Sequence, residues 1–439
     1  MINRWHALVR ATRGRGAHSA VQQSRIALVL ALVLVAGAAA CSESLTGGDA
    51  CPLLCPAKST VLHDTILDAV VFDTTVGGYP ELGLSETLLL ANRPDTLVTR
   101  GVMRFDVLPT SFLPNKTEAV TGITAVDSVV LVLPLDTSGW EGTGPVTVEA
   151  FDVDTTKNDS SQTVVKSLFR ADRLIGATVI TPSTIGDTLR VPISKTVLAA
   201  KIAANARLRV GLRMRGGGQV RIVAFSQGAG APYLRFDPST DTTYAPQTVS
   251  LSTSIELATA DVNQAYLIYG LLDKGSIPPD ASTLVIGGFP AYRTYLRFSL
   301  PKVITDSSTI VRAEVLLTQR PSTFASAKDT VVVLKSIPTA TNAVTDIRRI
   351  LDLSADGFFA SLDSTTMVPR DSGLRVISIL RLARSWSSQP DDVPRAIAFR
   401  INIEGGQPAE LRFYSRKAAA ALRPRLRITY QPNTLGALP

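Results

Sequence analysis

One strand-like stretch occurs twice in this chain, and the order of what surrounds it is repeated as well. Met103, Arg104 and Phe105 line up with Leu296, Arg297 and Phe298, and a proline follows each copy, Pro109 and Pro301. Alternation with a period of two puts Met103 and Phe105 on one face and Arg104 on the other, the pattern of a half-buried strand. Upstream, Glu86–Ala91 is echoed by Ser282–Gly287. Downstream, Val146–Phe151 returns as Val331–Ser336 and Thr188–Val191 as Gly373–Val376, both displaced by 185 residues. Ile222–Phe225 then matches Leu411–Tyr414 at a displacement of 189, and Tyr233–Phe236 matches Arg425–Ile428 at 192. Offsets that keep their order and drift by a few residues are what duplication followed by loop insertion leaves. A unit of this length is a domain and not a solenoid repeat.

Composition says which kind of domain. Apolar residues make up 45% of the 439 residues and charged ones 19%, a globular balance. Short alternating runs, among them Val102–Val107, Ser128–Leu133, Arg207–Met214 and Gln219–Phe225, are separated by turn residues such as Gly216, Gly217 and Gly218. About eight such runs per unit predict an all-β chain, two tandem antiparallel β-sandwich (jelly-roll-like) domains over residues 60–240 and 247–431. The seam is expected in the Pro/Thr/Asp stretch 237–246. One helix is expected at Ser194–Ala204, with Ser194 as its N-cap.

The first forty residues read as an address. Arg4, Arg10, Arg13, Arg15 and Arg25 precede an apolar run, residues 26–40, that ends in small residues. That is the layout of an export signal. As a helix the run spans roughly 22 Å, short of a ~30 Å hydrocarbon core. Removing residues 1–40 lowers the formal charge from +8 to +3 and takes away the argument for nucleic-acid binding. Ala38, Ala39, Ala40 and Cys41 resemble the lipobox of bacterial lipoproteins, which implies a lipid on Cys41 and attachment to a membrane. Ser42 after it resembles the class sorted to the outer membrane. Residues 41–59 form a polar tether carrying Cys51 and Cys55, read as a small disulfide loop or as idle thiols.

The order of strands in residues 60–431 resembles the DNRLRE-type modules of bacterial exported proteins, β-sandwiches related to alginate-binding carbohydrate-binding modules. It is carried by Leu88–Ala91 and Leu284–Gly287, by Arg100–Val107 and Arg293–Leu300, by Val311–Leu317, and by the closing strands Pro232–Phe236 and Pro424–Ile428. The resemblance implies the fold and, more distantly, a glycan ligand.

Catalytic motifs are few. Among residues 41–439 the one histidine is His63, beside Asp64, and no G-x-S-x-G, H-E-x-x-H or P-loop occurs. The chain is therefore read as non-catalytic. Phe151–Asp159 holds three Asp and one Asn, which is either a solvated turn or a partial calcium loop. No other cofactor is expected. The most distinctive surface signal is Arg207, Arg209, Arg213 and Arg215, which alternation sets opposite Leu208, Val210, Leu212 and Met214, with Arg221 as an extension. Guanidinium forks suit carboxylates, so an acidic polysaccharide is one expected ligand, and pairing to acids on neighbouring strands is the other reading. Trp140 is expected in a turn as an exposed sugar platform, and Trp386 in the core. The expected role is an envelope-held, outer-membrane lipoprotein that binds glycan or acts in adhesion. The alternatives are a structural protein with an envelope partner and, behind it, a polysaccharide-degrading enzyme.

Overall fold

The computed structural model describes residues 61–79, 87–114, 119–142, 144–154, 162–183, 185–223, 230–239, 244–251, 268–322, 324, 330–338, 359–390 and 393–433. Residues 1–60, and with them the expected signal, tether, Cys41, Cys51 and Cys55, lie outside the described residues.

The described strands run in two matching series. The first is β1 (His63–Leu67), β2 (Val70–Tyr79), β3 (Thr87–Arg93), β4 (Leu97–Phe105), β5 (Ser111–Phe112), β6 (Thr121–Gly122), β7 (Val129–Glu141), β8 (Val146–Asp152), β9 (Leu174–Ile180), β10 (Thr188–Pro192), β11 (Leu208–Arg215), β12 (Gly218–Val223) and β13 (Tyr233–Phe236). The second is β14 (Gln247–Ser250), β15 (Ile268–Lys274), β16 (Thr283–Gly287), β17 (Ala291–Phe298), β18 (Ser308–Arg320), β19 (Val331–Pro338), β20 (Phe359–Met367), β21 (Gly373–Ser378), β22 (Arg395–Ile401), β23 (Glu410–Tyr414) and β24 (Arg425–Pro432). All pairings are antiparallel, and the chain is all-β in two sandwiches.

Each sandwich turns on one long strand. The first half of β7 pairs with β13 and β10, and its second half pairs with β12. β18 does the same with β24 and β21 and then with β23. Beyond this strand both series continue alike, β12–β3, β4–β11–β8–β9 and β23–β16, β17–β22–β19–β20. Two separate cores follow. Leu88, Leu90, Met103, Phe105, Leu131, Leu208, Val210 and Leu212 belong to the first, and Ile286, Leu296, Phe298, Val315, Trp386, Phe399 and Leu411 to the second. The alternation read from the sequence sets these faces, with Met103 and Phe105 inward. Ser194 caps the helix Lys195–Ala203 by accepting the Val197 N–H at 3.4 Å. Trp386 lies in the second core, its ring 5.3 Å from that of Phe298.

The boundaries of the two units differ from expectation. β1 and β2 belong to the second sandwich: β1 pairs with β24, and β2 lies along the whole of β17. Their counterparts β14 and β15 belong to the first, on β13 and β4. Val76 stands opposite Arg293 just as Leu271 stands opposite Arg100. The expected ranges 60–240 and 247–431 are therefore corrected. The first sandwich is built from 87–274, and the second from 283–432 with 63–79 added. Backbone pairing does not depend on side-chain identity, so the local pattern could not say which sheet each opening pair of strands joins. Burial agrees with the exchange. Ala69 and Val70 enter the second core, and Val249 and Leu251 the first.

The sandwiches meet through side chains as well as through the crossed strands. Leu89, Ala91 and Leu97, on the side of their sheet away from the first core, pack with Leu272, Phe289 and Phe324. Arg221 donates to the Gly406 carbonyl at 3.3 Å while held by Ser138 Oγ at 2.6 Å and Asp136 at 2.8 Å. It is a buried tie between the sandwiches and does not extend a surface stripe. Arg412, which stands opposite Val285 as Arg221 stands opposite Leu89 and so lies two residues beyond the sequence match, donates to the Ile277 carbonyl at 3.0 Å.

Candidate functional site: the arginine face of the first sandwich

The face of β4, β11 and β8 that turns away from the core carries Arg100, Val102 and Arg104, then Arg209, Gly211, Arg213 and Arg215, then Glu149 and Phe151. Alternation placed the arginines on this face correctly. It did not show that the face is covered. Val102, Phe151, Val153 and Leu271 form a second apolar layer there with Val165 and Phe169, which belong to the helix Gln162–Ser167 and the turn after it. Gly211 interrupts the arginine row for this reason. A Cβ at that position would meet Val153 Cγ1 at 2.5 Å and Phe169 Cζ at 2.6 Å.

Each arginine named from the sequence then has a different fate. Arg209 is 1% exposed and sits directly opposite Arg104, also 1% exposed, whose Nε and Nη2 both donate to Asp106 Oδ2 at 2.7 and 2.5 Å. Arg213 donates to Glu149 Oε2 from Nε at 3.0 Å and Nη2 at 2.6 Å. It also reaches the Phe169 carbonyl at 3.3 Å and lies over the Phe151 ring at 4.7 Å. Arg215 donates to the other oxygen of Glu149 at 3.0 Å and is the one member that remains largely in solvent, its side chain 69% exposed. Arg207 donates to Asp154 Oδ1 at 2.9 Å. Next to it Lys201 binds Asp154 at 3.1 Å and Asp152 at 3.3 Å. The two carboxylates at the start of the expected calcium loop are therefore engaged by cations of this chain, and residues 155–159 lie outside the described residues.

Of the two readings of the arginine stripe, an open face and pairing to acids, the geometry shows pairing for Arg207, Arg213 and Arg215, and the open stripe is corrected. Arg207 is held by Asp154 and Arg213 by Glu149 and Phe151, Arg209 is buried opposite Arg104, and Glu149 is buried between Arg213 and Arg215. A carboxylate so placed holds its partners by charge-assisted hydrogen bonds in a medium of lowered dielectric. Trp140 is corrected too. It lies in β7, half-buried against the first core, because the stretch read as a turn, Ser138–Gly142, continues the strand to Glu141. His63 and Asp64 are each engaged with β24. The His63 ring stacks on Tyr430 at 5.3 Å, and Asp64 accepts from Arg427 and Thr429, both at 2.8 Å, so the two fasten β1 to β24.

Two features escaped sequence reasoning. Arg293, the counterpart of Arg100, forms a two-pronged bond to Glu404 at 2.7 and 2.6 Å with both side chains buried. Beside them, burial pulls the Arg400 guanidinium below its usual pKa, with the Glu404 charge opposing. Lys335, at a core-facing position of β19, donates to the Ser378 carbonyl at 2.9 Å and pairs with Asp363. Neither had a signal in sequence, since both pairs join residues from distant strands. One open depression of about 190 Å³ lies between β9 and β10, lined by Thr178, Val179, Ile185 and Arg190 among others. Ligand pockets usually start at ~300 Å³.

Fold and site together define an all-β protein of two strand-exchanged sandwiches in which Arg207, Arg213 and Arg215 pair with acids of the same chain. No family model and no curated protein matches the chain. Among solved structures it aligns with a "putative secreted protein" from Parabacteroides distasonis at 8% identity, over 84% of this chain and 99% of that one, with a TM-score of 0.21. Likeness at that level carries no argument about fold or role.

Proposed function

We propose that this chain is an exported, lipid-anchored and non-catalytic assembly protein of the cell envelope. The observation that carries the reading is the internal pairing of Arg207 and Arg213 with Asp154 and Glu149, which spends on the fold the charges that would otherwise recognise an acidic polymer. The residues that look most like ligand contacts act here as structural fasteners. Export and anchoring rest on the arginine-led apolar run of residues 26–40 and on Cys41 directly after it. Two acyl chains, each CH₂ worth roughly 0.8 kcal/mol on burial, make a lasting anchor. Acidic-glycan binding is the second reading; Arg215 remains exposed in its favour, as does the resemblance to DNRLRE-type modules. A glycan array at low salt separates the two. The assembly reading expects no retention of acidic polysaccharides, whereas retention abolished by Arg215→Ala establishes glycan binding instead. Labelling with a radioactive fatty acid is expected to disappear in Cys41→Ser, and label that persists in that variant overturns the anchor.

A further inference from the structure

β2 pairs along β17 in a sandwich to which it is not contiguous in sequence. β16 and β17 pair directly at a single point, Gly287 with Tyr292, and β2 fills the rest of the space beside β17 from Ala291 to Phe298. Its side chains complete the junction. Thr75 Oγ1 accepts the Val285 N–H at 3.0 Å and lies 3.2 Å from Thr294 Oγ1, and Thr294 in turn donates to the Val285 carbonyl at 2.7 Å. Phe72 lies beneath the Arg297 guanidinium at 5.6 Å, so the second copy of the repeated arginine is held by the donated strand. Asp73 accepts the Arg416 N–H at 2.6 Å from across the slot. Without this segment a row of β17 backbone groups would stand unpaired beside an apolar core, each buried one costing about 1–3 kcal/mol.

Nothing in these contacts depends on the donor belonging to the same chain. Every bond just named that involves 63–79 runs to the segment 283–432, while residues 80–274 contribute to none of them. The donor is also placed for transfer. It precedes β3, so it can leave the slot without threading through a sandwich. The first sandwich shows the alternative arrangement, in which the equivalent strands β14 and β15 follow directly in sequence and the unit closes on itself.

We propose that residues 63–79 are an exchangeable donor segment, and that the partner whose slot they fit is a second copy of this chain. The proposal rests on the assembly reading above and gives that assembly its joint. Handing the segment on leaves the donor's own slot open to the next copy, so the contact is head-to-tail. Closure within one chain has the advantage of an effective concentration near ~1 mM. Exchange is therefore a property of crowded copies, such as those gathered on a membrane, and dilute protein is monomeric.

Register gives a direct test. Ile66 and Arg427 face each other across β1 and β24, and both are at least partly exposed. One full-length copy carries Ile66→Cys and a differently tagged copy carries Arg427→Cys, each with Cys41, Cys51 and Cys55 changed to serine. The two are mixed near ~1 mM, unfolded and refolded together, and oxidised. Exchange is expected to give a disulfide-linked species of doubled mass containing both tags on a non-reducing gel. A single chain carrying both changes serves as the control and should close its own disulfide as a monomer. If that control closes and the mixture yields only monomers, the proposal is overturned. The anchor and glycan results stand apart from this outcome, so a failed exchange is distinguishable from a failed assembly reading.

Discussion

Val70 offers the sharpest check on the crossed connectivity. It lies seventeen residues before β3 in sequence, yet it is 4% exposed in the core of the second sandwich and pairs with Phe298. Val70→Ala removes two carbons from that core. At about 0.8 kcal/mol per buried methylene, with a further contribution from the cavity, the expected loss is about 2 kcal/mol. For a unit of this size each kcal/mol moves Tm by ~2–4 °C, so the second sandwich should melt about 4–8 °C lower. The chain supplies its own reporter, since Trp386 is fully buried in the second core next to Phe298 and Trp140 packs against the first. In a Trp140→Phe background, with residues 1–40 and hence Trp5 absent, fluorescence melting reads the second sandwich alone. The reciprocal change Leu271→Ala, on β15, is expected to destabilise the first sandwich by roughly 2–5 kcal/mol. An unshifted Trp386 transition in Val70→Ala would refute the placement of β2.

Two further outcomes are expected. Hydrogen bonds from Arg427 and then Thr429 hold the Asp64 carboxyl below its ordinary value of 3.8, against the opposing effect of burial. A carboxyl depressed in the folded state adds stability that is complete above 3.8 and is lost as pH falls through the lower folded value, so β1 should lose protection from amide exchange in acid, after correction for intrinsic rates. Equal acid loss in Asp64→Asn would show that this carboxylate is not responsible. Glu149→Gln removes the charge shared by Arg213 and Arg215, and retention on an immobilised polyanion at low salt should then exceed that of the unmodified protein and fade with added salt. Equal retention would mean that the arginine face is not neutralised from within.

Much of the fold was legible because sheets impose a period of two. Leu208, Val210, Leu212 and Met214 could be assigned to the core, and Arg209 and Arg213 to the other side, from β11 alone. The duplication was legible because equivalent strands keep their order while loops change length. What the other side meets has two readings in the sequence, an open stripe and pairing to acids on neighbouring strands. Arg213 is held by Glu149 and the Phe169 carbonyl, and Arg209 is buried opposite Arg104, in surroundings the fold brings in from elsewhere in the chain. Trp140 was misplaced by a local cue. Ser138 and Gly139 look like a turn and fall where the register with β12 shifts, yet β12 pairs on either side, at Asp136 and Glu141, so β7 continues.

By itself the sequence determined two copies of one β-unit, the face to which each apolar side chain turns, and an N-terminus of the kind that marks export. Those properties are local, set by chirality, by alternation and by the affinity of apolar groups for each other. Tertiary structure alone decided which sheet receives β1 and β2. A strand is bound chiefly through backbone N–H and C=O groups that every residue carries, so several partners are equivalent to the local pattern. Only the filled slot between β16 and β17 selects one.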